Sequence, residues 1–396
     1  MATDTRFVVD KFALCNRFAA LGATKSDNAL LPQGYAREQT PFLKQNRKDT
    51  FAIAYGETNK TYTFPESLQV LDQAFIRVQL PQNANGNYKE LPGLHIIEKV
   101  YVRCNGDLVY SVPYRTLMLD HIASLSDMNA RAYCEAHLGY KQGAASGDAR
   151  ICWLHIPLPN SSLWRYGGRG QGALPFTSFR NNKIEVSFDF YPAEYTAADR
   201  SNPSPALAGG QIVMKEVVAP LAQMRTLRDA RGRYSIVSRR LTEIQDFTSV
   251  AADTEVDLVV SNLSGCVTEI IVEAYAHDAN LDVLNVSAPV MPKSVRLVCD
   301  SVECINHETQ DECRLIEYSH GYRRNDFFSS NMYRLVFGSH GRDSDRVFQG
   351  AMNFSGISQS NLKITFPQQV QYRVIAVQLA VTSITSSGRL VQKIDT

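Results

Sequence analysis

Long apolar runs are missing from this sequence. None of its 396 residues belong to a stretch that approaches the roughly 18 consecutive apolar positions a bilayer-spanning helix needs; the best runs, such as Glu269–Ala276, are short and interrupted by charge. An excess of one charge sign is missing too: 41 Lys and Arg stand against 40 Asp and Glu, a formal net charge of +1. That balance excludes a protein that coats nucleic acid, which would carry a basic surplus. Cysteine is thin, with eight residues scattered from Cys15 to Cys313. This is too sparse for a disulfide scaffold and suits buried thiols in a reducing compartment. Proline (16) and glycine (23) are too few for a collagen-like or low-complexity chain. The opening residues, MATDTRFVVDKFALCNRF, carry Asp4 and Asp10 and have neither a long apolar core nor a small-residue cleavage site. They do not read as a secretory signal. The Asn-x-Ser/Thr triplets at Asn59, Asn160, Asn262, Asn285 and Asn353 then read as chance.

The motifs of common catalytic chemistries are also missing. The Gly-rich segment Tyr166–Ala173, YGGRGQGA, lacks both the phosphate-binding lysine and the spacing of a nucleotide loop. There is no Gly-x-Ser-x-Gly elbow. No His-x-His pair, which a metal-binding cupin would want, occurs among His95, His121, His137, His155, His277, His307, His320 and His340. Glu303 and Glu308 could act as an acid–base pair, but so could many other carboxylates, and solvated loop charge is the simpler reading. One metal-ligand spacing is present: Cys299-x4-Cys304-x2-His307-x5-Cys313. Alternation along a strand sends Cys299 and Cys304 to opposite faces unless a turn intervenes, so core and turn positions outweigh zinc. The basic clusters Arg225/Arg228/Arg231/Arg233, Arg239-Arg240 and Arg323-Arg324 have acidic neighbours and read as salt bridges at subunit or domain contacts. No catalytic, cofactor-binding or metal residue is assigned, and no cofactor is expected.

What is present is a globular composition, 44% hydrophobic and 20% charged. The length suits two domains of roughly 150–200 residues. Residues 1–48 read as an arm. Within it Phe7, Val8, Phe12, Leu14 and Phe18 give a weakly amphipathic helix over Thr5–Leu21, either tucked under the body or touching a neighbouring subunit or a membrane surface. Short β runs follow: Phe51–Tyr55, Phe75–Leu80, His95–Cys104, Asp107–Val112, Ile151–Leu158 and Lys183–Tyr191. Asn105-Gly106 is the best hairpin signal, because both central residues of a type I′ turn need positive φ. Tyr114–Leu138 is the one internal helical stretch, with a break near Ser126. After a loop over Ala193–Gly210 the texture returns, with Gln211–Val218, a helical link Met224–Gly232, then Tyr234–Phe247, Glu255–Val260, Cys266–Tyr275, Lys293–Ile305, Tyr333–Phe337, Leu362–Phe366 and Tyr372–Ser383. Many short strands without βαβ alternation mean an all-β protein.

An internal repeat organises these runs. Residues 172–188, GALPFTSFRNNKIEVSF, align without a gap on residues 350–366, GAMNFSGISQSNLKITF, 178 positions later. Gly172/Gly350, Ala173/Ala351, Phe176/Phe354 and Phe188/Phe366 are identical, and the apolar pairs at 184/362, 186/364 and 188/366 alternate with polar residues as in a half-buried strand. A fainter echo pairs VYVRCNGDLV (100–109) with VRLVCDSVEC (295–304). Two copies of one β domain, 49–220 and 221–396, follow from this.

At these residues the chain resembles a known family. Trp153-Leu-His-Ile-Pro-Leu-Pro159, Ala173-Leu-Pro-Phe176 and Lys183–Phe190 are similar to the first roll of double jelly-roll major capsid proteins of large eukaryotic DNA viruses and their relatives. Tyr234–Ser238 with Arg239–Gln245 resembles the opening of the second roll. Gly350-Ala-Met-Asn-Phe-Ser355 resembles the family's SG-x-x-NFSR signature, and Tyr372–Gln378 with Gly388 its closing strand. Gly356 stands where the family has Arg, Gln349 where it has Ser, and Asn160–Trp164 replaces an aromatic-rich segment. The resemblance implies two tandem eight-stranded jelly rolls with short helices in loops. It implies a structural, non-enzymatic capsid protein whose homotrimers form pseudo-hexameric capsomers tiling an icosahedral shell. Implied partners are itself, neighbouring capsomers, minor capsid or penton proteins and, through the arm, an internal membrane, with no sequence-specific nucleic acid. The implied location is the virion, after synthesis in host cytoplasm and assembly in cytoplasm or nucleus. The other readings are a minor capsid or scaffold protein of the same fold, a tandem β-sandwich module recognising carbohydrate or a cell surface, and a two-domain cupin.

Overall fold

The structure is a computed structural model that describes residues 43–123, 125, 127–141, 147–161, 163, 174–179, 182–198, 202–218, 235–276, 290–313, 332–337 and 351–394. The helix expected at Thr5–Leu21 and the link at Met224–Gly232 lie outside these residues. The first half contains β1 (Leu43–Thr50), β2 (Lys60–Thr63), β3 (Val70–Leu80), β4 (Ile97–Cys104), β5 (Asp107–Pro113), helix α1 (Tyr114–Ala123), helix α2 (Asp127–His137), β6 (Arg150–His155), β7 (Leu174–Pro175), β8 (Ile184–Phe190) and β9 (Ala208–Val218). The second contains β10 (Ser235–Val250), β11 (Glu255–Val259), β12 (Cys266–Ala276), β13 (Ser294–Cys299), β14 (Val302–His307), β15 (Met332–Val336), β16 (Met352–Asn353), β17 (Ser360–Thr365), β18 (Val370–Ile384) and β19 (Leu390–Ile394).

Each half folds into two antiparallel sheets, and the strand order is the same in both. In the first half it is β1-β9-β3-β6 facing β2-β8-β4-β5; in the second it is β10-β18-β12-β15 facing β11-β17-β13-β14. Eight strands in this order make a jelly roll. Among the described residues every ladder stays within its own half.

The repeat found in the sequence occupies equivalent places. Leu174-Pro175 pairs with β3 as Met352-Asn353 pairs with β12. A 3-10 turn at Phe176–Phe179 or Phe354–Gly356 follows, then β8 or β17. Ile184, Val186 and Phe188 are buried, as are Leu362, Ile364 and Phe366. The fainter echo is the β4–β5 and β13–β14 hairpin pair. Both have positive φ at the two turn residues, Asn105-Gly106 and Asp300-Ser301. Both break register at the same place, between Val102 and Arg103 and between Leu297 and Val298. The Asn105 carboxamide oxygen accepts the N–H of Lys183 at 2.7 Å, and the Asp300 carboxylate accepts the N–H groups of Ser358 and Gln359 at 3.1 and 2.9 Å. Ser301, unlike Gly106, holds φ 68° with a β-carbon. Ser301→Gly should therefore raise stability by about 0.5–1 kcal/mol, the left-handed strain of a serine less the extra entropy Gly loses on folding. The shift in urea midpoint measures it.

Several expected boundaries move. Strand β1 covers 43–50, so residues 43–48, read as arm, belong to the first sheet, and Phe51–Tyr55 is not a strand. The sequence LKQNRKDT forms an edge strand by backbone pairing to β9, which needs no apolar face. Phe51 and Ile53 are still buried, carried into the core by the loop that follows. Lys293–Ile305 is not one run but the hairpin β13–β14, and β2 and β19 are additional strands. The helical stretch divides into α1 and α2 around the expected break.

Candidate functional site

The residues that tie the two rolls together are the most unusual polar feature of the molecule. A sheet with one wet face alternates buried and exposed positions. Strand β12 is instead buried at every position from Val267 to Tyr275, and β15 throughout. One face of these strands, with Ile270, Val272, Ala274, Tyr333 and Leu335, fills the second roll's own core. The other face, with Ile271 and Met332 and, on the neighbouring β18, Ile375 and Val377, belongs to the core of the first roll. What covers it is α1, which continues directly from β5. All ten of its residues are buried, as expected of a helix apolar on most sides.

Charge is built into this seam. Thr116 and Asp120 lie one helical turn apart and reach the second roll. The Asp120 carboxylate meets Arg334 at 2.5 Å and Arg239 at 2.7 Å, and Arg334 also meets Glu269 at 3.2 Å. Glu273 accepts hydrogen bonds from the Thr116 hydroxyl at 2.8 Å and from the Tyr275 hydroxyl. Its position at the N-terminal turn of α1 adds a favourable helix-dipole interaction. Arg115 lies 3.6 Å from Glu273 and over the Tyr275 ring at 4.7 Å. Three arginines thus balance three carboxylates, all buried. Such a group adds little net stability over an apolar filling, but removing one member leaves a stranded charge, so it locks one relative placement of the rolls. The rim is polar and more exposed: Lys99 pairs with Glu243 at 3.5 Å, Arg389 with Asp107, and the Asn182 amide donates to the Ser387 carbonyl at 3.1 Å.

Arg239 therefore joins a domain contact, as its cluster suggested, whereas Arg225, Arg228, Arg231, Arg233, Arg323 and Arg324 lie outside the described residues. The seam's other members were missed in the sequence. They come from α1, β12 and β15, and no spacing connects them.

The candidate metal ligands do not form a set: the Cys299 and Cys304 thiols are hydrogen-bonded neighbours, but among the described residues no third ligand joins them. A turn does intervene between Cys299 and Cys304. Cys299 is buried at the end of β13, while Cys304 is exposed in β14. The His307 ring nitrogen Nδ1 is 2.7 Å from the Tyr333 hydroxyl, and Cys313 is buried. Among the described residues no three His, Cys, Asp or Glu side chains are placed to hold a metal ion. Burial pushes the Cys152 and Cys299 thiols up to about 12. In the native protein at about pH 8, a thiol reagent should label Cys304 fast and leave Cys152 and Cys299 intact until denaturant is added. Mass spectrometry of the labelled peptides reads this out.

The capsid-like signature is structural. Asn353 caps the 3-10 turn by accepting the Ser355 N–H at 2.9 Å, Ser355 accepts the Gly265 N–H at 2.7 Å, and Phe354 is buried in the second core.

No protein-family model matches the sequence. No curated protein matches it either. Solved structures do. The PBCV-1 virus capsid model superposes with a TM-score of 0.67 at 9% identity, over 91% of this chain and 98% of that one. The Faustovirus major capsid protein gives 0.55 at 10% identity, over 96% and 98%. The mavirus major capsid protein gives 0.53 at 12% identity, over 89% and 90%. The likeness is one of fold: the chain is a double jelly roll of the kind seen in these capsid proteins.

Proposed function

We propose that the chain is a virion structural protein, a major capsid protein whose homotrimers form capsomers of pseudo-hexagonal outline in an icosahedral shell. The role calls for no catalysis. Its partners are further copies of itself and neighbouring capsomers, with minor capsid proteins, and an internal membrane reached by the N-terminal arm.

One observation carries this reading. The outer face of the second roll's β10-β18-β12-β15 sheet is covered by the first roll, and the equivalent face of the first roll is covered among the described residues only in part, by α2 over Phe75 and His155, which leaves Arg77, Ile151, Trp153 and Lys215 to receive another copy. Equivalence is set by register. Strand β3 bulges between Leu71 and Gln73 against β9, and β12 bulges between Val267 and Glu269 against β18. Aligning the bulges places Phe75 with Ile271 and Arg77 with Glu273. Through the neighbouring ladders, Val213 falls with Ile375 and Trp153 with Met332. On this face Ile151 is 43% exposed, Lys215 is exposed, and Arg77 and Trp153 are half-buried. Within the chain, β5 and the α1 segment after it cover the second roll. The matching element of the second roll is β14 with the segment after it. It presents Val302, 64% exposed, and the exposed acids Glu303, Glu308 and Glu312. Acidic and apolar groups there complement Arg77, Lys215, Trp153 and Ile151. A head-to-tail contact of this kind makes a ring when the rotation closes. Six rolls, from three chains, make the hexagonal outline.

Light scattering behind size exclusion tests the reading. The expected mass is three times 44.2 kDa. A strict monomer at micromolar concentration would sink it.

A further inference from the structure

The α1–α2 insertion rests on imidazoles in unusual settings. His95 ends the 3-10 turn Pro92–His95, which packs against α1, β4 and β6. It is fully buried, and neither ring nitrogen has a hydrogen-bond partner. The charges acting on it are positive: Lys89 and, from α1, Arg115. His137 ends α2. Its Nδ1 lies 2.9 Å from the Trp153 carbonyl of β6. Its ring stacks on Phe75 of β3 at 5.8 Å and meets Tyr133 of α2 at 4.5 Å and His155 of β6 at 4.7 Å. From β9 the Lys215 ammonium stands 5.2 Å over the Phe75 ring. From α1, His121 meets Tyr133 at 4.8 Å. The carboxylates that act on Cys134, one turn before His137 on α2, are Glu90, which is exposed, and Glu135, which is paired with Arg131 at 3.2 Å.

We infer that the α1–α2 insertion is an acid-released brace, held on the first roll while His95 and His137 are neutral and loosened when they take up protons. Protonation would put a buried cation near Lys89 and Arg115 at one site, and near Lys215 and the His155 imidazole at the other. Burial, with Lys89 and Arg115 adding, holds His95 well below the usual imidazole range, and burial lowers His137, opposed by the Trp153 carbonyl and aided by Lys215. The sign follows. These groups bind protons more readily once the insertion opens, so its stability is full above the ordinary imidazole value of about 6.5 and falls as pH drops through that value. The brace is a property of the single chain. Its consequence for assembly rests on the proposed function, because α2 packs on the same sheet face as Trp153 and Lys215.

Hydrogen exchange with mass spectrometry on the full chain tests this, with rates corrected for intrinsic pH dependence. Between about pH 7.5 and pH 5, protection of peptides spanning 114–123 and 127–137 should fall by about tenfold or more, while β12 peptides hold theirs. His95→Leu and His137→Gln, which keep volume but cannot charge, should each shrink the drop, and together abolish it. Equal protection at both pH values, or a full drop in the double variant, would overturn the brace. If the double variant does not fold at neutral pH, the two single variants decide by the same criterion. The exchange is repeated in Trp153→Ala, designed to remain monomeric. A pH response there with no trimer in the wild type would refute the assembly reading and leave the brace standing.

Discussion

Arg334→Ala should destabilise the protein by about 3–5 kcal/mol, the largest single-residue effect expected in the chain. The loss has a specific source. Asp120 and Glu269 are buried and share Arg334 and Arg239. Removing one guanidinium leaves two carboxylates with one counter-ion in a place water does not reach. The matched control is the exposed ladder on the second roll's outer sheet, where Arg296 and Lys363 flank Glu255. Arg296→Ala there should cost no more than about 1 kcal/mol. The seam account also makes an opposite prediction for a full replacement. Changing Asp120, Arg239, Glu269 and Arg334 together to leucine or methionine removes the stranded charges and should recover most of the loss, since well-packed apolar groups can match a buried ion cluster. Urea midpoints of the three variants measure this. Equal losses for Arg334→Ala and Arg296→Ala would remove the seam's special role.

The second large effect is on assembly. Trp153→Ala, or Arg77→Glu with Lys215→Glu, should weaken the association of copies by about 30-fold or more and leave the single chain folded. A buried aromatic or arginine anchor at an interface centre typically contributes about 2 kcal/mol or more, and each 1.4 kcal/mol is about tenfold in affinity. Arg77 lies over the Trp153 ring at 5.8 Å and Lys215 over Phe75, itself buried against His137 of α2, so Arg77, Trp153 and Lys215 form one aromatic and cationic surface. Glu303→Lys combined with Lys215→Glu should restore part of the association if these charges meet across copies. Sedimentation velocity across a concentration series reads both results, and an unchanged association constant in Trp153→Ala would exclude this face from the contact.

How much of this was legible in the sequence depended on which face a residue serves. The repeat at 172–188 and 350–366 stood out because its alternating residues fill each roll's own core, and both cores ask for the same sizes: Val186 and Ile364, Phe188 and Phe366. The equally exact equivalence of β3 and β12 did not, because their outer faces have opposite tasks. Arg77 lies on an open face, and its counterpart Glu273 is buried against α1. The turn at Asn105-Gly106 announced a hairpin, whereas Asp300-Ser301, with no glycine, hid the same turn inside a run of β-formers. Strand β1 was missed because its polar sequence, held by backbone pairing and side-chain bonds such as Gln45 to Glu216, has no apolar alternation. The seam was invisible for a different cause: Arg115, Asp120, Arg239, Glu269, Glu273 and Arg334 sit on four elements that meet only when the two rolls dock.

Electron microscopy of the purified protein at neutral pH addresses the central claim most directly. If the face of Trp153 and Lys215 receives the second roll of another copy, class averages should show three-fold particles with six lobes and a hexagonal outline. Isolated two-lobed particles at concentrations where light scattering finds no larger species would contradict it.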